Sequence, residues 1–519
     1  MESSPYHLRT LLLPLAALLL YGLPATAQHS TARAESKWVH YDSEGRLVYQ
    51  TLPTGDRIMD FSFAGYMGGG VAIPAVPVKI TLAPLRGDNT AAIQRAINQV
   101  SRMPLHHGLR GAILLKPGTF NCGGTLKITE SGVVLRGSGT GPEGTILKMT
   151  GTPHLCISVG GHPEIEEDGP ATKITDRYVA SGSSRFDVAD PSGFSVGDTI
   201  RITRPITDSW VAFMGMDKLV RNGKPETWIR GDILTERTIT GITGSSVTID
   251  VPLSDSYDQK YTAPGVTIQK ISTTGGISQA GIENFSIVAE AQSGPISQKH
   301  DQGFSMHGMT DGWAQNIDIR NTVNSISITG DRITVEGVNI THDLPTTGAA
   351  KPADLNGSGH QILFSRCRIT GDNVFYLATG AKVSGPIVLL DCVFKGTGWI
   401  QPHQRWATGL LVDNCQVPEG GIDFMNRGEY GSGHGWAIGW SVAWNSNAAT
   451  LLNQRPPGSA NWMIGCRGER QKKPMPFTKA PVLPEGIYDS YQSPVTPRSL
   501  YLAQLSQRLG KEALSRIGY

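Results

Sequence analysis

Charged side chains are scarce: 17% of the 519 residues are Asp, Glu, Lys or Arg, and they nearly cancel to a formal net charge of +2. Such a balance exerts no strong pull on a phosphate backbone, so nucleic acid is not an expected partner. Apolar runs long enough to cross a bilayer are missing too. The longest, residues 11–21, falls short of the ~20 residues a spanning helix needs. Arg9 stands before it and Ala25-Thr26-Ala27 after it, so residues 1–27 read as a secretory signal peptide. The expected mature chain is exported, secreted or periplasmic, and free of the membrane once the signal is cleaved. No Cys-x-x-Cys pair marks a zinc site, and His300, His307 and His342 lack tight metal-ligand spacing. Gly68-Gly69-Gly70 is followed by no Gly-Lys-Ser/Thr and is not a phosphate loop.

What is present is glycine, 62 residues of it, and a repeated phrase. Cys367, Cys392, Cys415 and Cys466 end the segments HQILFSRC, PIVLLDC, LLVDNC and NWMIGC. Aligned on the first three cysteines, Ile362, Ile387 and Leu410 fall in one column, and Phe364, Leu389 and Val412 in another two residues on. Period-two columns are the mark of strands with one buried face. The same register runs back through Val338, Ile317 and Phe285, giving successive spacings of 32, 21, 29, 25 and 23 residues. One strong strand per ~20–30 residues, with loops absorbing the differences, is a solenoid. β-branched alternation and glycine-rich turns exclude helical repeats, which leaves a parallel β-helix. The cysteines then stack as a column of small, buried apolar side chains, and because their Cβ vectors run parallel, disulfides are not expected.

The segment 85–100 places Ile93, Ile97 and Val100 at helical spacing behind Asp88, Asn89 and Thr90 as candidate N-caps. Gly87-Asp88-Asn89-Thr90, Ile93-Gln94, Ala96-Ile97 and Pro117-Gly118-Thr119-Phe120 resemble the opening of the pectate-lyase-like superfamily. That resemblance implies an all-β, right-handed parallel β-helix with a capping helix, and is nearly silent about chemistry, because the architecture carries lyases, hydrolases, epimerases and tailspikes. The organisation expected is an N-terminal extension over 28–84, a capping helix and first coils over 85–160, and an inserted antiparallel β module over 161–270. The main coil follows over 271–468, then a proline-rich tail and C-terminal helix over 469–519. The last helix, with Leu500, Leu502, Leu505, Leu509 and Leu514, is expected to close the end of the solenoid. In the insert, Trp210, Phe213 and Trp228 form either a sugar-stacking wall or the insert's own core.

The repeat register also points to a site. Lys382 and Arg405 each lie ten residues before a ladder cysteine, which puts two cations on adjacent rungs. Like charges that close call for an anionic partner, from the protein or from a substrate. His403 lies two residues before Arg405, and Arg427 and His434 follow about one coil later, amid glycines that permit close approach. Trp406 and Trp436 are expected to flank this cluster as aromatic platforms. The chemistry that fits is β-elimination on a uronic-acid polymer. It needs a cation or metal to neutralise the carboxylate, a base at C5 and an acid for the leaving oxygen. By resemblance to pectate, alginate and chondroitin lyases, Arg405 or Lys382 serves as base or neutraliser and His403 or His434 as a second acid/base. Calcium is a candidate cofactor by the same resemblance, although the one dense acidic run, 164–168, reads as a solvated turn.

Two other readings use the same letters. Gly433-His434-Gly435 resembles the Gly-His-Gly of polygalacturonase-type hydrolases, with Asp372 in TGDN, Asp343 in THDLP or Asp301 as carboxylates. Their second acid is replaced by Asn373, and the Arg-Ile-Lys element is missing. A non-catalytic carbohydrate-binding β-helix would use the groove and tryptophans alone. His342, Asp343 and Asp372 stand with Trp406 and Trp436 as candidate substrate-binding residues, a polysaccharide is the expected partner, and the protein is expected to be a monomer.

Overall fold

The computed structural model describes residues 34–474 and 480–519, and the signal-peptide segment lies outside them. The chain coils as a parallel β-helix with three faces, the right hand being the one parallel crossovers overwhelmingly take. In the first full rung Gly111–Leu115 lies on sheet 1, Gly118–Cys122 on sheet 2 and Leu126–Ile128 on sheet 3. Val133–Arg136 then returns to sheet 1 and pairs in parallel with Gly111–Leu114. The pattern holds to Ile487–Asp489, which pairs with Asn461–Ile464.

The columns expected from the repeat are the observed register. Ile362 pairs Ile387 and Ile387 pairs Leu410, while Phe364 pairs Leu389 and Leu389 pairs Val412. Phe285, Ile317 and Val338 continue the ladder on sheet 2. All six cysteines are free and buried. Each ladder thiol also donates to the carbonyl of the preceding rung, as Cys392 does to Phe364 (3.5 Å) and Cys466 to Ala443 (3.3 Å). The four cysteines are not contiguous, however. Asn447 pairs both Gln416 and Arg467, so Ser446 occupies the rung between Cys415 and Cys466. Its hydroxyl accepts from the Cys415 amide and donates to the Val412 carbonyl, which makes a polar residue tolerable there.

One feature of the corner between sheets 1 and 2 explains the tight repeat. The residue just before each ladder position is left-handed: Asn316, Arg366, Asp391, Asn414 and Asn445 have φ between 48° and 54°, and Gly337 and Gly465 stand at the same place. One residue in that region turns the chain without a loop, and Asn and Gly adopt it at least cost. Stacked side chains add to it, with Asn316 Nδ2 donating to Asn284 Oδ1 at 2.8 Å.

Helix α1 (Thr90–Ser101) packs Ile93, Ala96, Ile97 and Val100 into the coil's core and plugs its N-terminal end, as the capping segment predicts. Helix α2 (Asp208–Phe213) belongs to the insert. Helix α3 (Leu500–Leu509) departs from expectation: it lies on the flank of sheet 1 instead of closing the coil. Its Leu500, Tyr501 and Leu505 cluster with Val388, Leu390, Leu411, Val442 and Trp444, the outward side chains of that sheet. Strands such as Ser384–Leu390 and Ala407–Asp413 are buried on both faces and read as continuous apolar runs, so their outer face must be covered. The far end of the core is packed by Tyr488 and Tyr491.

The two ends of the described chain meet on this flank. Ala34–Glu35 pairs in parallel with Val495–Thr496. Gln504 accepts from the Phe61 amide and donates to the Met59 carbonyl, and Arg508 donates to Ser62 Oγ. Val78–Leu82, within the expected extension, already pairs with Ala112–Leu115 as a strand of sheet 1.

The insert leaves the coil after the sheet-3 strand Leu155–Gly160 and ends with the strand Thr267–Thr274, a few residues beyond the expected boundary. Its strands are antiparallel around Ile200, Ile202, Val247 and Ile268.

Candidate functional site

The insert and the loop 425–440 both spring from the corner between sheets 3 and 1. At this corner too left-handed residues recur: Arg332 and Gln361 are level on successive rungs, and on the next two Lys382 (φ 61°) and Arg405 (φ 53°) take the same conformation a few residues upstream of that position. Their expected register is real: the Lys382 amide donates to the Arg405 carbonyl at 3.0 Å and the Arg405 amide to the His434 carbonyl at 3.3 Å. Their charges are directed elsewhere, however. Lys382 Nζ reaches the Arg230 carbonyl of the insert at 3.4 Å, and Arg405 Nη2 donates to Ser432 Oγ at 2.9 Å. Both cations tie loops together at the corner.

His403, His434 and Arg427 do come together, on the outer face of sheet 3. The two imidazoles lie 4.7 Å apart by ring centroid, and His403 packs edge-on against Phe375 at 4.9 Å. Arg427, only 6% exposed, donates from Nε to His434 Nδ1 at 3.2 Å and from Nη1 to Gln401 Oε1. Gln401 in turn donates to Asp423 Oδ2 at 2.7 Å. Because His434 Nδ1 accepts a bond, the neutral ring carries its proton on Nε2. His403 Nδ1 is without a partner. Among the described residues no carboxylate lies within 4.0 Å of the Arg427 guanidinium.

Burial sets the protonation states here. It pushes His403 down to about 3, with Arg427 and His434 adding to the effect, and His434 down to about 4, with Arg427 and Arg405 contributing. Both rings are therefore neutral at ordinary pH. Burial raises Asp423 to about 6 against the opposing pull of Gln401 and Arg427, and lowers Arg427 to about 10, which leaves it charged.

The glycines of the loop have a steric cause. Asn426 and Trp436 bridge its base, and the Arg427 amide donates to the Gly435 carbonyl at 2.7 Å. A Cβ on Gly431 would lie 2.2 Å from the His434 ring, and one on Gly435 would lie 2.3 Å from the Trp228 ring. Both have positive φ.

The tryptophans are not open platforms. Trp406 and Trp436 are 2% and 3% exposed. Trp436 Nε1 donates to the Met214 carbonyl, and Trp228 Nε1 to the His434 carbonyl at 2.9 Å. Trp210 stacks on Trp228 at 5.1 Å and meets Trp406 edge-on at 5.6 Å. These indoles form the joint between insert and coil, because the insert folds back over the corner and buries them.

The remaining candidates stand at the opposite edge of sheet 3. Asp343 is paired with Arg320 at 2.7 Å and accepts from Asn321, which holds its carboxyl below the usual range. Asp372 accepts from the Thr397 amide and hydroxyl and is likewise lowered. His342 Nε2 lies 2.6 Å from Asp354, a fully buried carboxylate that also accepts from Ser325. His342 and Asp372 share one shallow groove with Thr346. None of the three joins the hydrogen-bonded cluster of His434 and Arg427.

Sequence reasoning missed Gln401, Asp423 and Phe375, which complete that cluster, and Lys351, whose ammonium lies 4.9 Å from the Trp399 ring on the same sheet. The available signal was Asp423 as a charge in the strand Gln416–Phe424 between buried Ile422 and Phe424. For calcium the residues do not fit. Among the described residues no group of three or more His, Cys, Asp or Glu side chains could hold a metal ion, and the acidic run lies on the exposed strand Glu164–Lys173 with Asp168 facing Lys270.

No family model and no curated protein matches the chain. Among solved structures it is similar to the tailspike gp49 of Pseudomonas phage LKA1 (13% identity, 79% of this chain and 72% of that one, TM-score 0.33). It is also similar to a pectin methylesterase in complex with a hexasaccharide (11%, 85% and 98%, TM-score 0.30). A third is the A-module of the Azotobacter vinelandii mannuronan C-5 epimerase AlgE6 (11%, 84% and 95%, TM-score 0.21). No residue role carries across at such identity, so the chain is classed by its own architecture, a parallel β-helix with an inserted β module.

Proposed function

We propose that the protein is a polysaccharide lyase acting on a uronic-acid-containing polymer. The observation that carries this reading is Arg427: a buried, charged guanidinium, 6% exposed, with no carboxylate in direct contact and Asp423 reached only through Gln401, beside two neutral imidazoles. A buried charge whose counter-ion stands a side chain away is incompletely compensated, and a ligand that brings a carboxylate into direct contact is favoured. A uronate carboxylate would do so, and its pairing with Arg427 acidifies the C5 proton next to it. His403, neutral and half-buried, takes that proton on its ring. The C5–H electrons form the C4–C5 double bond, the C4–O bond breaks, and the leaving oxygen recovers the proton from His403. The carboxylate's arrival also offsets the field of Arg427, which raises the basicity of His403 toward the working range.

The base assigned here is a histidine, whereas the sequence pattern favoured Arg405 or Lys382, both engaged with loops. Inverting hydrolysis needs two carboxylates across the bond. The cluster holds one, Asp423, bonded to Gln401, and Asp372 stands at the other edge of the sheet. The test is absorbance near 235 nm with pectate, alginate, glucuronan and glycosaminoglycans. A rise that His403→Ala and Arg427→Gln both abolish supports the reading. New reducing ends without absorbance, or a rise that survives both substitutions, overturns it.

A further inference from the structure

A second cleft, of ≈ 300 Å³, opens where the N-terminal extension, the insert and the coil meet. It is separated from the histidine pair by the indoles of Trp210, Trp228 and Trp406, and Trp228 is itself bonded to the His434 carbonyl. Its floor is made by Trp406 and Trp440, both pinned by one carboxylate: Asp255 Oδ2 accepts from Trp406 Nε1 at 2.9 Å and Oδ1 from Trp440 Nε1 at 3.1 Å. One wall is a flat aromatic pair, Phe213 stacked on Tyr261 at 4.1 Å and 18°.

Arg204 lines this cleft and is 3% exposed, lying over the Trp210 ring at 4.2 Å. Its Nε and Nη1 have no hydrogen-bond partner. The nearest carboxylate, Asp255, stands 3.7 Å from Nε, and both its oxygens are occupied by indoles. The other buried acid of the cleft, Asp56, is satisfied by the Tyr178 hydroxyl and the Ser181 amide. The acids are thus hydrogen-bonded, while the buried guanidinium has one long ion pair to Asp255 and two N–H groups without an acceptor, so what the cleft lacks is an acceptor, and it offers a flat apolar face beside those donors. An acceptor-bearing ring is the ligand that fills both needs.

We propose that this cleft is a second glycan-binding site that takes a carboxylate-bearing sugar residue, its carboxylate on Arg204 and its ring against Phe213. The choice of an acidic sugar rests on Arg204 and stands whether or not the histidine cluster performs elimination. Three separate parts of the chain build the cleft, so the insert holds substrate at a distance from the reacting bond as well as covering the corner.

The experiment is titration calorimetry with trigalacturonate, triglucuronate and trimannuronate, and with the same trisaccharides carboxyl-reduced, on Arg427→Gln protein, whose first site has lost its anchor. Binding of at least one acidic trisaccharide is expected, weakened about tenfold or more by Phe213→Ala, a loss of ~1.4 kcal/mol. Arg204→Gln is expected to do the same, and Phe213→Ala keeps the test open should that variant not fold. Binding unaffected by Phe213→Ala, equal binding of the reduced sugars, or no binding at all overturns the proposal. Its failure is distinct from that of the lyase reading, which is judged on wild-type absorbance alone.

Discussion

Acid should destabilise this protein through the histidine pair, and the size of the effect follows from burial. An imidazole held at about 3 in the folded state titrates at 6.5 once exposed, so between those values the unfolded chain binds the extra proton. Folded pKa below unfolded pKa means the contribution is complete above 6.5 and is lost as pH falls toward 3. At pH 5 the linkage relation gives a loss of about 2 kcal/mol for His403 and about the same for His434, held at about 4. His403→Gln removes the first group and keeps a neutral polar side chain. Urea denaturation of both proteins at pH 7.5 and 5.0 is the assay. Wild type should lose about 2 kcal/mol more than the variant between the two pH values. Equal losses would show that His403 titrates normally, and with that the argument for a neutral base in a dry, cationic site falls.

Gly431→Ala places a methyl group against the His434 ring and should cost about 1–3 kcal/mol of stability, read as a lower urea midpoint, together with any activity that depends on the pair. Cys392→Ser should cost no more than about 1 kcal/mol, because Ser446 already shows that a hydroxyl in this ladder finds backbone partners; thermal denaturation checks it. Asp413 is buried, accepts from Ser499 and the Tyr501 amide, and is pushed up to about 7 by burial. Its folded value exceeds the unfolded 3.8, so its carboxylate opposes folding as pH rises from 3.8 through about 7, and Asp413→Asn should gain stability relative to wild type on going from pH 5 to pH 8, read by urea denaturation of both proteins at the two pH values.

The coil was legible because its signal is periodic: Ile362, Ile387 and Leu410 repeat the same choice on successive rungs, and register follows from repetition. The interposed Ser446 was not, since a polar residue breaks an apolar pattern and only its hydrogen bonds justify it. The outward side chains of Ser384–Leu390 and Ala407–Asp413 were not legible either: period-two columns imply one buried face, whereas both faces are buried, and nothing local says that α3 covers the outer one. At the site, spacing brought Lys382 and Arg405 into line correctly, but spacing describes backbone, and where a long side chain ends depends on the loops around it. Hence Lys382 goes to Arg230, while Gln401 and Asp423, ordinary letters beside sheet 3, complete the cluster around Arg427.

A stack of rungs held only by neighbours can come apart from either end, one layer at a time. Here the strand pair Ala34–Glu35 with Val495–Thr496, and the bonds of Gln504 and Arg508 to residues 59–62, buckle the first part of the chain to the last along the side of the stack. Neither end rung can peel away without first opening that buckle. The open-ended coil becomes a closed circuit of contacts, and its layers are bound to stand or fall together.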